Sequence, residues 1–445
     1  MSTFMEDENT IYIKSQCHCG IGSFQVAFAK SRIPVTNFLC HCDICRHVSG
    51  EMAFYFLPIE GPPIGGPYAM QPIDPSKDSS LTEYRTSAST AWYFCHNCSA
   101  HLFLLTRDSE WFVSGGSLRQ AEGLTELYCH INVADTMDGG LADQIQVVDG
   151  KVLPRYSKRV GSEQIPLGWR SDKLQSRTDS SRTSQKMRAY CHCGAIDIYV
   201  TRPNELSAQP YAPYPDILYP LPQTRLSTIR NKSDVKWWLD PPVRKNSIGM
   251  LVPASVRPSP GGSREVGSRS GSGSNLPAQI STLGEAQPAV HSRTRFLAGH
   301  CVCSHCRQGC GFDIQSWMFV SRTNVFEKGS DKPIVVSKEE ERPKGLKQYL
   351  SSPGRYHEFC GTCGATAFWW QAGRPDVIDV SVGLLDQSID GVRAENWLKW
   401  HKDRLSYVEN SAKNNFVQGL KDGMAKLQDS FDAATPLPTT PLPKD

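Results

Sequence analysis

Apolar and polar residues alternate in short runs along much of this chain, and the runs come in two rounds. Phe24-Gln-Val-Ala-Phe and Ile196-Asp-Ile-Tyr-Val each alternate with a period of two, which predicts half-buried strands. Ala53-Phe-Tyr-Phe-Leu opens a second set of strand-like runs in the first round, and Ser316-Trp-Met-Phe-Val does so in the second. Tyr93-Phe, Leu102-Phe-Leu-Leu, Trp111-Phe-Val and the segments from Ala367 and Val377 continue the pattern, punctuated by Gly115, Gly116 and Gly383. The expectation is two small, mostly β modules. A helical period is visible only in the tail, where Phe416, Leu420, Met424 and Leu427 share one face, weakened by Gly419 and Gly423.

The stretches between these runs read differently. Residues 151–186 are polar and basic, with Lys158, Arg159, Arg170, Lys173, Arg177 and Arg182, and read as a linker. About 203–294 reads as an insertion. It has a Pro/Tyr-rich start (Pro210-Tyr-Ala-Pro-Tyr-Pro), a short element with Trp237 and Trp238 expected to pack on the second module, and a Ser/Gly/Arg-rich run around Pro258–Asn275. That run has too little apolar surface to order itself. Pro436 to Pro443 reads as a solvated extended end. The expected organisation is a first module over about 11–150, a linker at 151–186, a second module over 187–410 carrying the insertion, and a tail at 411–445.

Bulk numbers add modest constraints. With 445 residues the chain has room for two or three domains, and 39% hydrophobic content agrees with part of it being unstructured. A net charge of +3 is too small to argue for nucleic acid or a membrane surface. No stretch approaches an apolar membrane span, and Met1 to Thr10 is acidic and polar, unlike a signal or transit peptide.

The sixteen cysteines change the picture most. Cys17 and Cys19 form a C-x-C, Cys40, Cys42 and Cys45 a C-x-C-x-x-C, and Cys95 and Cys98 a C-x-x-C. Cys191 and Cys193, then Cys301, Cys303 and Cys306, then Cys360 and Cys363 repeat that order, leaving Cys129 and Cys310 outside as small buried residues. Finer markers repeat with them. Gly20 and Gly194 follow the C-x-C, Gly50 and Gly311 lie five residues past the C-x-C-x-x-C, and Tyr84 and Tyr349 precede the C-x-x-C by eleven. This is a tandem duplication.

Thiolates one or two residues apart reach a single soft cation readily and make poor disulfide partners for each other, so the pattern is a metal framework. The two distant knuckles of each module would close a tetrahedron, giving Cys17, Cys19, Cys95 and Cys98 in the first and Cys191, Cys193, Cys360 and Cys363 in the second. The remaining three sulfurs of each module, Cys40, Cys42 and Cys45 or Cys301, Cys303 and Cys306, would hold a metal with one position open. The alternative is a nearby fourth ligand such as His41 or His47. Val302 and Gln308 replace these in the second repeat.

Cys-x-Cys-Gly, Cys-x-Cys-x-x-Cys with Gly five residues on, and Phe-Cys-x-x-Cys resemble the glutathione-dependent formaldehyde-activating enzyme family, which includes centromere protein V. The resemblance covers about 11–140 and, without the insertion, 187–410. His130-Ile-Asn-Val-Ala-Asp-Thr-Met-Asp-Gly-Gly and Gly391-Val-Arg-Ala-Glu-Asn-Trp look like the endings of tandem fungal members. It implies a β-tent fold, a structural zinc on the outer four cysteines, a second zinc on the central three, and carbon–sulfur lyase activity or its reverse. One departure is Ser99, where the family has the glycine present here as Gly364. A left-handed turn at that place would strain the first closed site slightly.

The expected function is therefore a zinc-dependent carbon–sulfur lyase on a thiol–aldehyde adduct of the S-hydroxymethylglutathione kind. It would use about four zinc ions per chain, with a small thiol such as glutathione and an aldehyde as partners. A metal-bound thiol is deprotonated at neutral pH, which makes the nucleophile. Arg46 and Arg307 follow the last cysteine of each open set and are candidates to receive a substrate carboxylate, or else merely offset the site's charge or face solvent. His130, Asp135 and Asp138 are polar candidates better suited to capping and turns. Two other readings stay open: zinc that only builds a module binding nucleic acid or cytoskeleton, and one catalytic module beside one scaffold. Metal-binding thiols suggest the cytoplasm, the nucleus remaining open.

Overall fold

A computed structural model describes residues 8–65, 71–75, 77–176, 184–204, 207, 217–219, 243–245, 251–253 and 294–427. Most of the insertion, with Pro210–Pro215, Trp237, Trp238 and the Ser/Gly/Arg-rich run, lies outside the described residues, as does Pro436–Pro443. Among the described residues no helix is long and apolar enough to cross a membrane.

The fold is mostly β, and each module uses the same parts. In the first, β1 (Thr10–Gln16) and β2 (Ser23–Ala29) form an antiparallel pair around the C-x-C knuckle. β3 (Val35–Cys40) leads into α1 (Asp43–Ser49) through the three-cysteine loop. β4 (Phe56–Ile59), β5 (Leu81–Ser87), β6 (Thr90–Cys95), β7 (His101–Thr106) and β8 (Trp111–Ser114) make an antiparallel sheet in the order β4-β8-β7-β6-β5. The C-x-x-C lies in the β6–β7 turn, and β9 (Thr125–Ile131) returns parallel to β3.

The second module repeats this. β10 (Lys186–Tyr190) and β11 (Asp197–Thr201) flank its C-x-C knuckle. β12 (Arg295–Cys301) feeds α2 (Ser304–Cys310), and β13 (Gln315–Ser321) follows. β14 (Val325–Glu327) pairs with β11. The sheet is completed by β15 (Leu346–Ser352), β16 (Arg355–Cys360), β17 (Thr366–Gln371) and β18 (Val377–Ser381). It runs β12-β13-β18-β17-β16-β15, with β19 (Leu398–Ser406) parallel to β12.

The two modules share one hydrophobic core rather than two, with Phe54, Trp92, Phe312 and Phe368 all in the same buried cluster. Their contact is pseudo-symmetric. Gly50 (φ 85°) and Gly311 (φ 88°) cap α1 and α2 in the left-handed region. A Cβ on Gly50 would lie 2.2 Å from the carbonyl oxygen of Thr366, and one on Gly311 would lie 2.2 Å from that of His101. The repeated glycine is thus required twice over, by backbone conformation and by the approach of the other module.

Two segments depart from their expected character. Within 151–176, Leu153, Ile165 and Leu174 are buried, and Arg155 donates to Asp143 at 2.9 Å and to the Ile165 carbonyl. Arg170 reaches Glu395 of the second module at 3.2 Å. A basic composition hides a strap tied down by buried ion pairs. The tail forms α3 (Asn414–Lys426), and its glycines do more than weaken it. Cβ atoms there would come within 2.4 Å of the Val147 oxygen at Gly419 and 2.1 Å of the Gln144 oxygen at Gly423. Those glycines let the helix lie against first-module backbone.

Candidate functional site

The structure gathers the cysteines into four groups: Cys17, Cys19, Cys95 and Cys98; Cys191, Cys193, Cys360 and Cys363; Cys40, Cys42 and Cys45; and Cys301, Cys303 and Cys306. Within each group the sulfurs all lie within 4.8 Å of one another. In the four-membered groups the shorter separations are 3.4 Å for Cys17–Cys19, Cys191–Cys193 and Cys193–Cys360, and 3.5 Å for Cys19–Cys95. Zn–S bonds of about 2.3 Å give a tetrahedron with edges of about 3.8 Å, so these donor sets fit such an ion. Backbone N–H groups of Gly22 and Ile196 donate to Cys17 and Cys191 Sγ at 3.2 and 3.3 Å, as suits sulfurs bearing negative charge.

Both four-sulfur groups include a left-handed residue after the C-x-x-C. Gly364 has φ 78° and Ser99 φ 66°. Serine is tolerated because its hydroxyl donates to the Gly309 carbonyl at 3.1 Å across the module boundary. That bond offsets part of the cost of the left-handed turn.

The three-sulfur groups sit where a strand runs into a helix. Cys42 and Cys303 are the N-caps of α1 and α2, and their Sγ atoms accept from Cys45 and Cys306 N–H at 3.4 and 3.3 Å. Neither histidine weighed as a fourth ligand joins the first group. His41 is buried with Nε2 2.9 Å from His130 Nδ1, and His130 in turn contacts the Ile145 carbonyl at 2.8 Å. His47 contacts the Tyr190 carbonyl through Nδ1 at 2.7 Å and stacks on that ring at 4.2 Å.

Arg46 and Arg307 are placed differently from the expectation. Both are buried. Arg46 donates to Asp43 at 2.5 Å and to the His41 carbonyl, and Arg307 donates to the carbonyls of Gly116 and Leu118 in the other module. Their guanidinium groups tie backbone together, because the helix turn after the last cysteine faces the module boundary. Asp138 accepts from the Gly140 and Arg393 N–H groups, the turn role expected of it. Asp135 is exposed at the surface near Asp43, and partial desolvation together with that neighbouring charge raises its carboxyl pKa. Cys129 and Cys310 are both buried.

A cavity of about 220 Å³ opens over the second three-cysteine group. Cys301, Cys303 and Cys306 line it, with aromatic walls from Trp317, Phe319, Trp369 and Tyr407 and polar groups from His357 and Asp379. Burial pushes His357 down to about 3, so its ring is neutral at pH 7. Burial also pushes Asp379 up to about 7, against the opposing charge of Arg374 at 3.2 Å. His300, behind Cys301, stacks on Trp400 at 4.7 Å and is held between Ser316 Oγ and Gln144 Oε1. Sequence reading missed His357, Asp379 and Tyr407. They lie on strands and a turn far from the cysteines in sequence, and only aligning the two repeats strand by strand would have marked them.

The family described as glutathione-dependent formaldehyde-activating enzyme matches this chain twice, over residues 12–131 and 287–401. No curated protein and no solved structure matches it.

Proposed function

The chain belongs to the glutathione-dependent formaldehyde-activating enzyme family, and on that footing we propose that it makes and breaks the carbon–sulfur bond of a thiol–aldehyde adduct. The observation that carries this reading is the position of three sulfurs at the base of a walled cavity, with no fourth protein donor gathered beside them among the described residues. Zinc is the metal we propose, about four ions per chain. Cys301, Cys303 and Cys306 would hold it in the cavity, where it would supply the acidity that lets an incoming thiol lose its proton and become nucleophilic.

The chain's residues supply the rest. Aromatic walls of the cavity pack against the adduct and keep water from the reacting carbon. In the forward direction the sulfur lone pair forms the C–S bond, the carbonyl π pair moves to oxygen, and that oxygen takes up a proton. In reverse the hydroxyl loses its proton, the carbonyl re-forms, and the C–S pair returns to sulfur. The thiol is glutathione or a similar small thiol and the compartment is the cytoplasm.

The test compares wild type with a Cys42→Ser/Cys303→Ser double variant for the rate of equilibration of glutathione and formaldehyde with their adduct. The adduct also forms without a catalyst, so the variant is the reference. Wild type should be faster. Equal rates, with salt-sensitive nucleic-acid binding instead, would replace this reading with a binding module.

A further inference from the structure

The duplication lets each residue around one three-cysteine group be compared with its counterpart around the other, and strand registers fix the correspondence. Tyr84, Trp92, Leu104, Phe112 and Pro58 stand side by side across β5, β6, β7, β8 and β4. The same row in the second module is Tyr349, His357, Trp369, Asp379 and Phe319 across β15, β16, β17, β18 and β13. Four members of that second row line the cavity. At their positions the first module has Trp92, Leu104, Phe112 and Pro58, which offer no carboxylate and no imidazole.

Neighbouring positions diverge in the same sense. Trp317 and His357 have ring centroids 6.5 Å apart, whereas their counterparts Phe56 and Trp92 close to 4.8 Å. Phe54 packs on Trp92 as well, at 5.4 Å, so aromatic rings fill that corner of the first module. The sulfurs differ in depth too. Cys40, Cys42 and Cys45 are all only partly buried, while in the second group Cys303 alone is partly buried and Cys301 and Cys306 are buried.

The turn above the sulfurs gives a second, independent contrast. Ile131 pairs with Cys40 and Ser406 with Cys301, so the next residues, Asn132 and Tyr407, are counterparts. Both are left-handed, with φ 56° and 60°. Asparagine adopts that conformation readily, and Asn132 Nδ2 donates to Cys40 Sγ at 3.2 Å. Tyrosine is held there only where its surroundings impose it, a kind of local strain that clusters at ligand sites. Tyr407 lines the cavity.

Taking the thiol-adduct reading as its basis, we infer that the two centres have divided their roles. One thiol is bound specifically per chain, at the second centre, where His357, Asp379 and Tyr407 recognise the adduct. The first centre is a shallow site that holds metal for the fold.

Titration calorimetry of the metal-loaded full chain with glutathione tests this. One thiol should bind per chain. His357→Trp and Tyr407→Asn each install the residue with which the first module folds at that position. Each should weaken binding at least tenfold while metal content and thermal unfolding stay as in wild type. Should one variant fail to fold, the other carries the test. Two equivalent thiols per chain, or one bound at full strength in every folded variant, would overturn the inference. Wild type that binds no thiol is a distinct result, and it removes the thiol-site reading beneath it.

Discussion

The Tyr84 hydroxyl lies 2.6 Å from Nδ1 of His192, the middle residue of the second module's C-x-C knuckle. Tyr349 repeats the contact from the other side, 2.7 Å from Nδ1 of His18. Each four-sulfur centre is thus fastened to a hairpin of the opposite module, which explains why a tyrosine recurs eleven residues before each C-x-x-C. The knuckle backbones add a matching pair, with His18 N–H donating to the Gln308 carbonyl and His192 N–H to that of His47.

These ties predict that the modules unfold together. Tyr84→Phe and Tyr349→Phe should each cost about 1 kcal/mol, the usual net value of a hydrogen bond. The two sites are separate, so the double variant should lose about the sum. Urea denaturation followed by far-UV circular dichroism should show one transition throughout. Two resolved transitions in wild type would mean that the modules are energetically independent.

Gly50 and Gly311 give a harsher prediction. Alanine at either position faces both a left-handed φ and a backbone carbonyl 2.2 Å from its Cβ. Loss of about 3 kcal/mol or more is expected from overpacking and backbone strain combined. Gly194 also has positive φ but open space around it, so Gly194→Ala should cost only about 1 kcal/mol. Denaturation midpoints of the three variants check the contrast.

The cysteine order in sequence was enough to read a duplicated, mostly β fold with cysteine groups that could hold metal, because ligand spacing and strand alternation are local signals. The cavity was not legible. Its wall includes a row of residues on four strands, and the decisive differences between modules, Trp92 against His357 and Phe112 against Asp379, emerge only once the register is known. The burial of Arg46 and Arg307 was hidden for a related reason. Adjacency to a cysteine in sequence says nothing about which side of a helix faces the site. The strap at 151–176 escaped because a buried ion pair such as Arg155–Asp143 has the same composition as a solvated linker.

Metal removal should separate the two kinds of centre. Replacing Cys17 or Cys363 by Ser should unfold the protein or lower its thermal midpoint severely, since a four-thiolate ion contributes directly to folding. Cys303→Ser should leave most of the fold and lose one ion. Elemental analysis of protein purified without chelator should give about four zinc ions in wild type. A value near two at full occupancy would count against metal on the three-sulfur groups.

The last prediction concerns acid. His101 is fully buried, its Nε2 contacts the Val48 carbonyl at 3.1 Å, and burial pushes its pKa down to about 4. The unfolded chain titrates this group near 6.5. The unfolded state therefore binds the proton first as pH falls. Stability from the neutral ring is full above about 6.5, is lost progressively below it, and levels off near 4. At about 1.4 kcal/mol per pH unit, the loss from this one group between pH 7 and pH 5 is about 2 kcal/mol. His101→Gln keeps an N–H donor for Val48 and cannot titrate. It should be less stable than wild type at pH 7, yet its stability should fall by about 2 kcal/mol less on going to pH 5. Buried carboxyls such as Asp390, raised to about 7 by burial, push the pH dependence the other way, and they cancel in the comparison because both proteins carry them. Urea titrations of the two proteins at the two pH values measure the difference. Parallel losses of stability would show that His101 is already charged in the folded state, or that another group carries the acid sensitivity.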